Sequence, residues 1–492
     1  MPALTERTLA LLDDRFEVPA YGRCEVTTGM VHIGVGNFHR AHQAAYHDRL
    51  LGEGGPLEWG ICGVGVLPAD RRMEQALLAQ DGLYTLVVKH PNGLIEPRVV
   101  GSIVEYLFAP HDPEAVIEKL AAAATRVVSL TITEGGYGVD DVTGGFDATR
   151  PDVAHDLSRP GAESPRTAFG LVVEALRRRR NRGLEPFVVM SCDNLEGNGD
   201  VARTAFGTFA RLLDPALGDW IHEEVAFPNS VVDRITPTTT DPDRLALREL
   251  FGIEDRVPVV CEPFTQWVLE GSRAEVLPPY ADVGVRLVDD VRPYELMKLR
   301  LLNGGHQALA YFGRLCGYRF VHEAARDQYL GAFLAAYLDH EAMPTLSGVP
   351  AAELAAFRAA LPERLGNRAI GDTLNRLAVD ASDRIPKFLL PVVRERLARG
   401  EDVTRAAAII ASWARFAEGV DERGDAITLV DRRRDSLIAR ARRRRDDPDA
   451  FVSDPAVFGD LVEHEAFVAP YRAALASLDE RGARATVASL AR

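Results

Sequence analysis

The sequence predicts an α/β protein. A mainly parallel sheet with helices on both faces, residues 1–285, is followed by a mostly α-helical domain, residues 286–492. Two observations carry that expectation. The first half alternates short apolar runs with helical patterns, and strand, helix, strand at this spacing indicates a parallel sheet. From Tyr294 onward Ala, Leu, Arg and Glu dominate with helical periodicity, and strand-like runs nearly vanish. The breaker-rich stretch Leu277-Pro-Pro-Tyr-Ala-Asp-Val-Gly284 marks the change. Length agrees, because 492 residues at roughly 150 per domain make two or three domains.

The elements follow in order. Met30-Val-His-Ile-Gly34 reads as the first buried strand, entering a glycine turn and then a helix over 38–47. Trp59-Gly-Ile-Cys-Gly-Val64 is the second strand, with a helix over about 71–79 after it. Arg126-Val-Val-Ser-Leu-Thr131 and Pro186-Phe-Val-Val-Met-Ser191 are two more, the latter preceded by a helix near 167–180. The chain contains no internal repeat.

Composition narrows the function. Charged residues make up 26% and the formal net charge is −15, so a nucleic-acid coat or an anionic membrane surface is not the expected partner. The basic runs 177–180 and 442–445 lack interleaved aromatics and read as solvated helix faces. Five cysteines are dispersed without CxxC spacing, which fits a reducing compartment. The N-terminus opens on charges rather than a signal-peptide apolar run, and no stretch reaches the ~20 apolar residues of a membrane span. The expectation is a cytoplasmic protein.

Gly34-Val-Gly36 lies at the first strand-to-helix turn. Glycines there let the backbone turn tightly and approach a pyrophosphate, whose charge the helix N-terminus stabilises. Gly34, Gly36, Asn37 and Phe38 are therefore the candidate cofactor turn of a Rossmann-type domain, although His39 stands where the fingerprint has its third glycine. Asp70 is the first acid after the second strand. A carboxylate there holds the adenosine ribose and repels a 2′-phosphate, favouring NAD, whereas the adjacent Arg71 and Arg72 could instead pair with that phosphate of NADP. The alternative for Asp70 is a helix N-cap.

Three groups carry candidate chemistry. In Pro293-Tyr-Glu-Leu-Met-Lys-Leu-Arg-Leu-Leu-Asn-Gly-Gly-His306, a helical projection from Lys298 puts Glu295 at about 60°, His306 at about 80° and Asn303 at about 140°. The four share one arc, with Gly304-Gly305 a candidate break before His306. An apolar setting would lower the lysine pKa towards a working general base, and the bland alternative is a salt-bridged surface face. Ser191-Cys-Asp-Asn194 follows a strand, where an open sheet lines its ligand crevice, and Asn194 can donate an N–H to an alkoxide without competing for protons. Asp233 is an acid among apolar residues whose alternative role is an ion pair with Arg234. His39, His42 and His47 have no HExxH or Cys/His quartet around them, so no metal is expected, and no GxSxG elbow supports a serine nucleophile.

Taken together, Gly34-Val-Gly-Asn-Phe-His-Arg-Ala-His42, Thr133-Glu-Gly-Gly-Tyr137, Ser191-Cys-Asp-Asn194, Pro228-Asn-Ser-Val-Val-Asp-Arg-Ile-Thr-Pro237 and Lys298-Leu-Arg-Leu-Leu-Asn-Gly-Gly-His306 resemble the long-chain mannitol dehydrogenase family. The likeness runs in order from about residue 30 to Pro386-Lys-Phe388. It implies a Rossmann-type domain, a helical C-terminal domain and a metal-independent polyol dehydrogenase using NAD(P). It further implies that Lys298 is the general base, that Asn194 and Asn303 form the oxyanion hole, that His306 and Asp233 orient substrate hydroxyls, and that Glu295 lies on the proton's path to solvent. Arg376, then Arg384, are the implied polyol anchors, with Lys387 a competitor and surface ion pairing the alternative for all three. The loop Pro68-Ala-Asp70 carries less acid than the family pattern often has, which leaves NADP open beside NAD. The implied reaction is oxidation of a straight-chain polyol to a ketose, D-mannitol to D-fructose first, by a chain for which a monomer is compatible. D-arabinitol, D-sorbitol and fructuronate are alternative substrates, and a non-catalytic nucleotide-binding sensor is the alternative from another class.

Overall fold

The computed structural model describes residues 1–12, 14–139, 145–158, 165–271 and 274–491. It divides into two compact units, Met1–Arg292 and Pro293–Arg492. The boundary thus falls within the first turn of the helix Arg292–Met297, which follows the last strand.

The N-terminal unit contains strands β1 (Thr28–Ile33), β2 (Gly60–Gly65), β3 (Tyr84–Lys89), β4 (Ile95–Val100), β5 (Ile103–Phe108), β6 (Val127–Leu130), β7 (Val188–Ser191), β8 (Ser230–Asp233), β9 (Val259–Cys261), β10 (Gln266–Glu270) and β11 (Arg286–Val288). Five of them form a parallel sheet in the order β5-β2-β1-β6-β7. The four apolar runs legible in the sequence are β2, β1, β6 and β7. Side chains of β1 alternate between the two faces, as a strand requires. Val31 and Ile33 join a core with the helices Pro113–Ala121, Ala168–Asn181 and Asn198–Leu213, while Met30 joins the opposite core with Gln43–Gly52 and Arg71–Leu78. Connections run outward from β1 to β2 and β5, then return to β6 and β7. The order therefore reverses between β1 and β6, and an open α/β sheet binds its ligand at the carboxyl ends of the strands there.

The remaining strands form two small three-stranded sheets, β11-β10-β8 and β4-β3-β9. The helix expected over 38–47 is two helices, Asn37–Ala41 and Gln43–Gly52. The break is His42, at φ −120° and ψ −88°, whose Nε2 pairs with the Gln266 carbonyl at 2.9 Å.

The C-terminal unit is helical. Its centre is the helix Thr404–Phe416, whose Ala406 to Ala411 run and Trp413 are buried, packed against Glu465–Leu490 and Gly304–Leu315. No helix among the described residues is long and apolar enough to cross a membrane.

Candidate active site

The glycine turn lies at the carboxyl end of β1. Gly34 has φ +95°, and a Cβ there would lie 2.2 Å from the Thr131 carbonyl oxygen at the end of β6. The close approach of two strand ends thus demands a glycine. Gly36 differs, because a Cβ on it would meet only Gly34 O, at 3.8 Å. Protein packing alone does not require glycine at that point, whereas a pyrophosphate lying against the backbone does, which fits the residues present to a dinucleotide. Asn37 Oδ1 accepts from Arg40 Nη2 at 2.7 Å, and Phe38 stacks on His42 with centroids 5.0 Å apart. His39 fills the third-glycine position by lying flat on His32 of β1, centroids 3.4 Å apart and planes within 10°. Two thin rings accomplish the close helix–strand packing that a glycine otherwise permits.

The Asp70 side chain does not cap the helix that follows it. Its Oδ2 reaches back to accept from the N–H groups of Val66 and Leu67, at 2.9 and 2.8 Å. The carboxylate is thereby fixed at the carboxyl end of β2, where an adenosine ribose is read in this fold.

The end of β7 carries a residue to which the sequence reading gave no role. The buried Asp193 accepts from Ile132 N at 3.0 Å, Thr133 N at 2.9 Å and the Tyr137 hydroxyl at 2.7 Å. It pins the loop after β6 to the loop after β7 and holds Thr133 at φ +65°, an unusual conformation for a β-branched residue. Asn194, the next residue, is exposed. Asn198 donates to Asp193 O at 3.0 Å and to Ser230 O at 2.8 Å, tying the same loop to the start of β8. Asp233 ends β8, buried. Arg234 donates to the carbonyls of Glu262 and Ala41, at 3.0 and 2.7 Å. The signal for Asp193 was available, an acid two residues past a buried strand, but its partners lie about sixty residues away in sequence.

In the C-terminal unit one continuous helical rod carries four candidates. It runs as Arg292–Met297, a π-helical stretch Lys298–Asn303, and Gly304–Leu315. The π-helix bonds i to i+5, so residues five apart approach the stacking that residues four apart have in an α-helix. Lys298 and Asn303 are five apart, and the wider turn draws them together where the α-helical projection set them at the ends of the arc. Both are half-buried, as is His306, and Glu295 is buried. Gly304 and Gly305 do not break the rod. Cβ atoms on them would lie 3.1 Å from the Tyr337 hydroxyl and 3.2 Å from Leu334 Cδ1, so the pair permits a close helix approach. Arg300 fixes the far side of the π turn by donating to Thr345 O and Glu395 Oε2, each at 2.7 Å.

Arg376 donates from Nε to Asp372 at 2.6 Å, and Lys387 pairs with Asp383 at 3.1 Å. Arg384 donates to Leu377 O at 3.0 Å, the carbonyl that Gln307, next to His306, reaches at 3.5 Å. Among the candidate anchors, Arg384 therefore shares a contact with the lysine-bearing rod.

The histidines near the turn are structural. His47 lies between Trp59 O at 2.8 Å and the Tyr280 hydroxyl at 2.9 Å. Burial pulls the His32 pKa down to about 3, that of His47 to about 4 and that of His39 well below its usual value. The unfolded chain takes up these protons below about pH 6.5 while the folded unit refuses them, so stability is full above that pH and falls as pH drops towards the folded values. Each histidine contributes up to ~1.4 kcal/mol per pH unit in that window. The buried carboxyls of Asp48 and Asp255, which burial pushes up, titrate in the opposite sense and offset part of the loss. Between pH 7 and 5 the urea midpoint should fall by the equivalent of roughly 2 kcal/mol or more. His39→Phe, which keeps a flat ring on His32, should flatten that slope, and an unchanged slope would place the acid sensitivity elsewhere.

Comparison with known proteins bears on this geometry. Residues 28–279 match the model of the mannitol dehydrogenase Rossmann domain, and residues 290–479 match that of the mannitol dehydrogenase C-terminal domain. A mannitol 2-dehydrogenase of Aspergillus fumigatus is 43% identical over 453 residues, 91% of this chain and 90% of the relative. The solved ternary complex of Pseudomonas fluorescens mannitol 2-dehydrogenase with NAD and D-mannitol is 43% identical, covers 99% of both chains and superposes with a TM-score of 0.89. A substrate-free D-sorbitol dehydrogenase is 38% identical over 98% of this chain and all of its own, also at a TM-score of 0.89.

Proposed function

The chain belongs to the mannitol dehydrogenase family, and on that premise we propose that it oxidises D-mannitol to D-fructose and runs the reverse reduction. It is an NAD-dependent polyol dehydrogenase. The observation that best supports this substrate pair is the full-length likeness to an enzyme solved with NAD and D-mannitol. In this reading the chain works as a cytoplasmic monomer on a small polyol, without nucleic acid or membrane.

Gly34, Gly36, Asn37 and Phe38 hold the cofactor phosphates and Asp70 the adenosine ribose. Bound NAD supplies the hydride acceptor. Lys298 Nζ takes the hydroxyl proton as the C–H bond breaks, so no metal is needed to stabilise the alkoxide. Asn194 and Asn303 donate side-chain N–H groups to the developing oxyanion. Asp233 and His306 orient the neighbouring hydroxyls, Arg384 and Arg376 anchor the far end of the polyol, and Glu295, one turn before the lysine, passes the proton on towards solvent.

A panel of D-mannitol, D-sorbitol and D-arabinitol with NAD, and of fructuronate with NADH, tests the substrate. D-mannitol should lead in kcat/KM by at least about tenfold, with activity resistant to EDTA. The D-sorbitol dehydrogenase likeness makes sorbitol the second choice. Preference for sorbitol, arabinitol or fructuronate would move the substrate, and NADH binding without any turnover would favour a sensor. For the cofactor, Asp70→Ser removes the carboxylate that repels a 2′-phosphate, and should shift the NADP-to-NAD ratio of kcat/KM upward by about tenfold or more. An unchanged ratio would take Asp70 out of cofactor selection.

A further inference from the structure

The N-terminal unit contains a cavity of about 480 Å³ that none of the residues assigned above to cofactor or substrate lines. Arg15, Arg49, Arg98 and Arg234 reach it from four separate stretches of chain, against the carboxylates of Glu17 and Glu96. In a chain of net charge −15 that is a local reversal of sign. Two of the four guanidiniums are accounted for by structure. Arg98 pairs with Glu17 at 3.2 Å and with the buried Asp48 at 3.0 Å, and Arg15 donates to Leu250 O at 2.6 Å while lying 4.5 Å over the Phe251 ring. Glu96 is engaged by His90 at 2.9 Å.

The other two are held mainly by neutral groups. Arg234 is fixed by the main-chain oxygens of Glu262 and Ala41. Arg49 lies 5.5 Å over the Tyr46 ring, and its Nε is buried with no hydrogen-bond partner among the described residues. The carboxylate beside it, Glu53, is 3.6 Å away and more than half exposed, an arrangement that cancels little charge. Carbonyls and a ring position both guanidiniums without neutralising them, which is how an arginine is prepared for an anion rather than for a salt bridge. Leu86, Val88 and Pro97 supply an apolar wall beside the two charges.

We propose that this cavity binds a small phosphate monoester, the phosphate between Arg49 and Arg234 and its carbon skeleton against the apolar wall. A monoester carries about −1.5 to −2 charges at pH 7, which matches two uncancelled guanidiniums, and its three acceptor oxygens suit paired arginine forks. The volume lies within the range of about 300–1,000 Å³ typical of metabolite sites. The proposal stands apart from the assignment of the polyol, since none of the substrate residues lines this cavity.

Calorimetric titration of the full chain with glucose 6-phosphate, under saturating NADH so that the cofactor's phosphate sites are filled, tests it. Saturable binding with a Kd below about 1 mM is expected, with no heat from glucose and weaker binding at higher salt. Arg49→Gln, at a part-exposed helix position, should weaken binding by about tenfold or more while D-mannitol turnover, which also reports correct folding, is unchanged. The proposal is overturned if no saturable binding appears up to about 10 mM, if Arg49→Gln binds equally well, or if the ester displaces NADH.

Discussion

Lys298→Ala is expected to lower kcat for D-mannitol oxidation by about 10³–10⁴-fold while the Kd for NADH stays within about twofold. The size follows from the step assigned to the amine. A polyol hydroxyl does not lose its proton to water at neutral pH, so hydride departure without a base leaves a protonated ketone. The π-helical stretch Lys298–Asn303 gives the residue its place, and Arg300 fixes that stretch through Thr345 O and Glu395. Because the amine must be neutral to accept a proton, oxidation by the unaltered chain should rise with pH to a plateau, and that limb should disappear in the alanine variant. Glu295→Gln should change the pH dependence without abolishing turnover, because its proposed role is to pass on a proton that the proposed base has already taken. Unchanged kcat in Lys298→Ala would remove the lysine from the chemistry.

Asn194→Ala and Asn303→Ala should each reduce kcat by about 10²–10³-fold in both directions, with much smaller changes in KM. An N–H aimed at the substrate oxygen strengthens as that oxygen gains charge, so the loss appears in the transition state more than in binding. Asn303→Asp should be at least as damaging as alanine, since a carboxylate repels the alkoxide. The π turn makes a geometric demand at the same point. Lys298 and Asn303 are five residues apart, and deleting one residue between them to restore an α-helical register should cost activity beyond either single substitution. Asn198→Ala is the control, because Asn198 bonds to Asp193 O and Ser230 O and should lower thermal stability more than it lowers kcat. Equal losses in KM and kcat for Asn194 and Asn303 would make them binding residues instead.

The parts of this fold that local sequence encodes were legible. Four apolar runs reveal β1, β2, β6 and β7 because strands buried on both faces read as continuous hydrophobic sequence. The small sheets were not, since β8, β9 and β11 have only three or four residues each and depend on partners distant in the chain. The glycine turn could be read from residue type, but the His32–His39 stack in place of the third glycine could not, because it joins a strand to a helix through side-chain shape. Asp70 was legible as the first acid after the second strand, whereas its bonds to Val66 and Leu67 belong to the fold of one loop. The α-helical projection grouped Lys298, Glu295, His306 and Asn303, and missed the π turn that changes their relation. Nothing in local periodicity marks an i to i+5 bond. Gly304 and Gly305 looked like a break because glycine disfavours helices, yet close packing against Tyr337 and Leu334 outweighs that preference of about 1 kcal/mol each.

The decisive measurement is the identity and amount of the product formed from D-mannitol and NAD with EDTA present. D-fructose is expected, one molecule per NADH, since the proposed base and oxyanion donors act on a secondary hydroxyl. D-mannose, the product of oxidation at a primary hydroxyl, or the absence of NADH formation, would contradict that expectation.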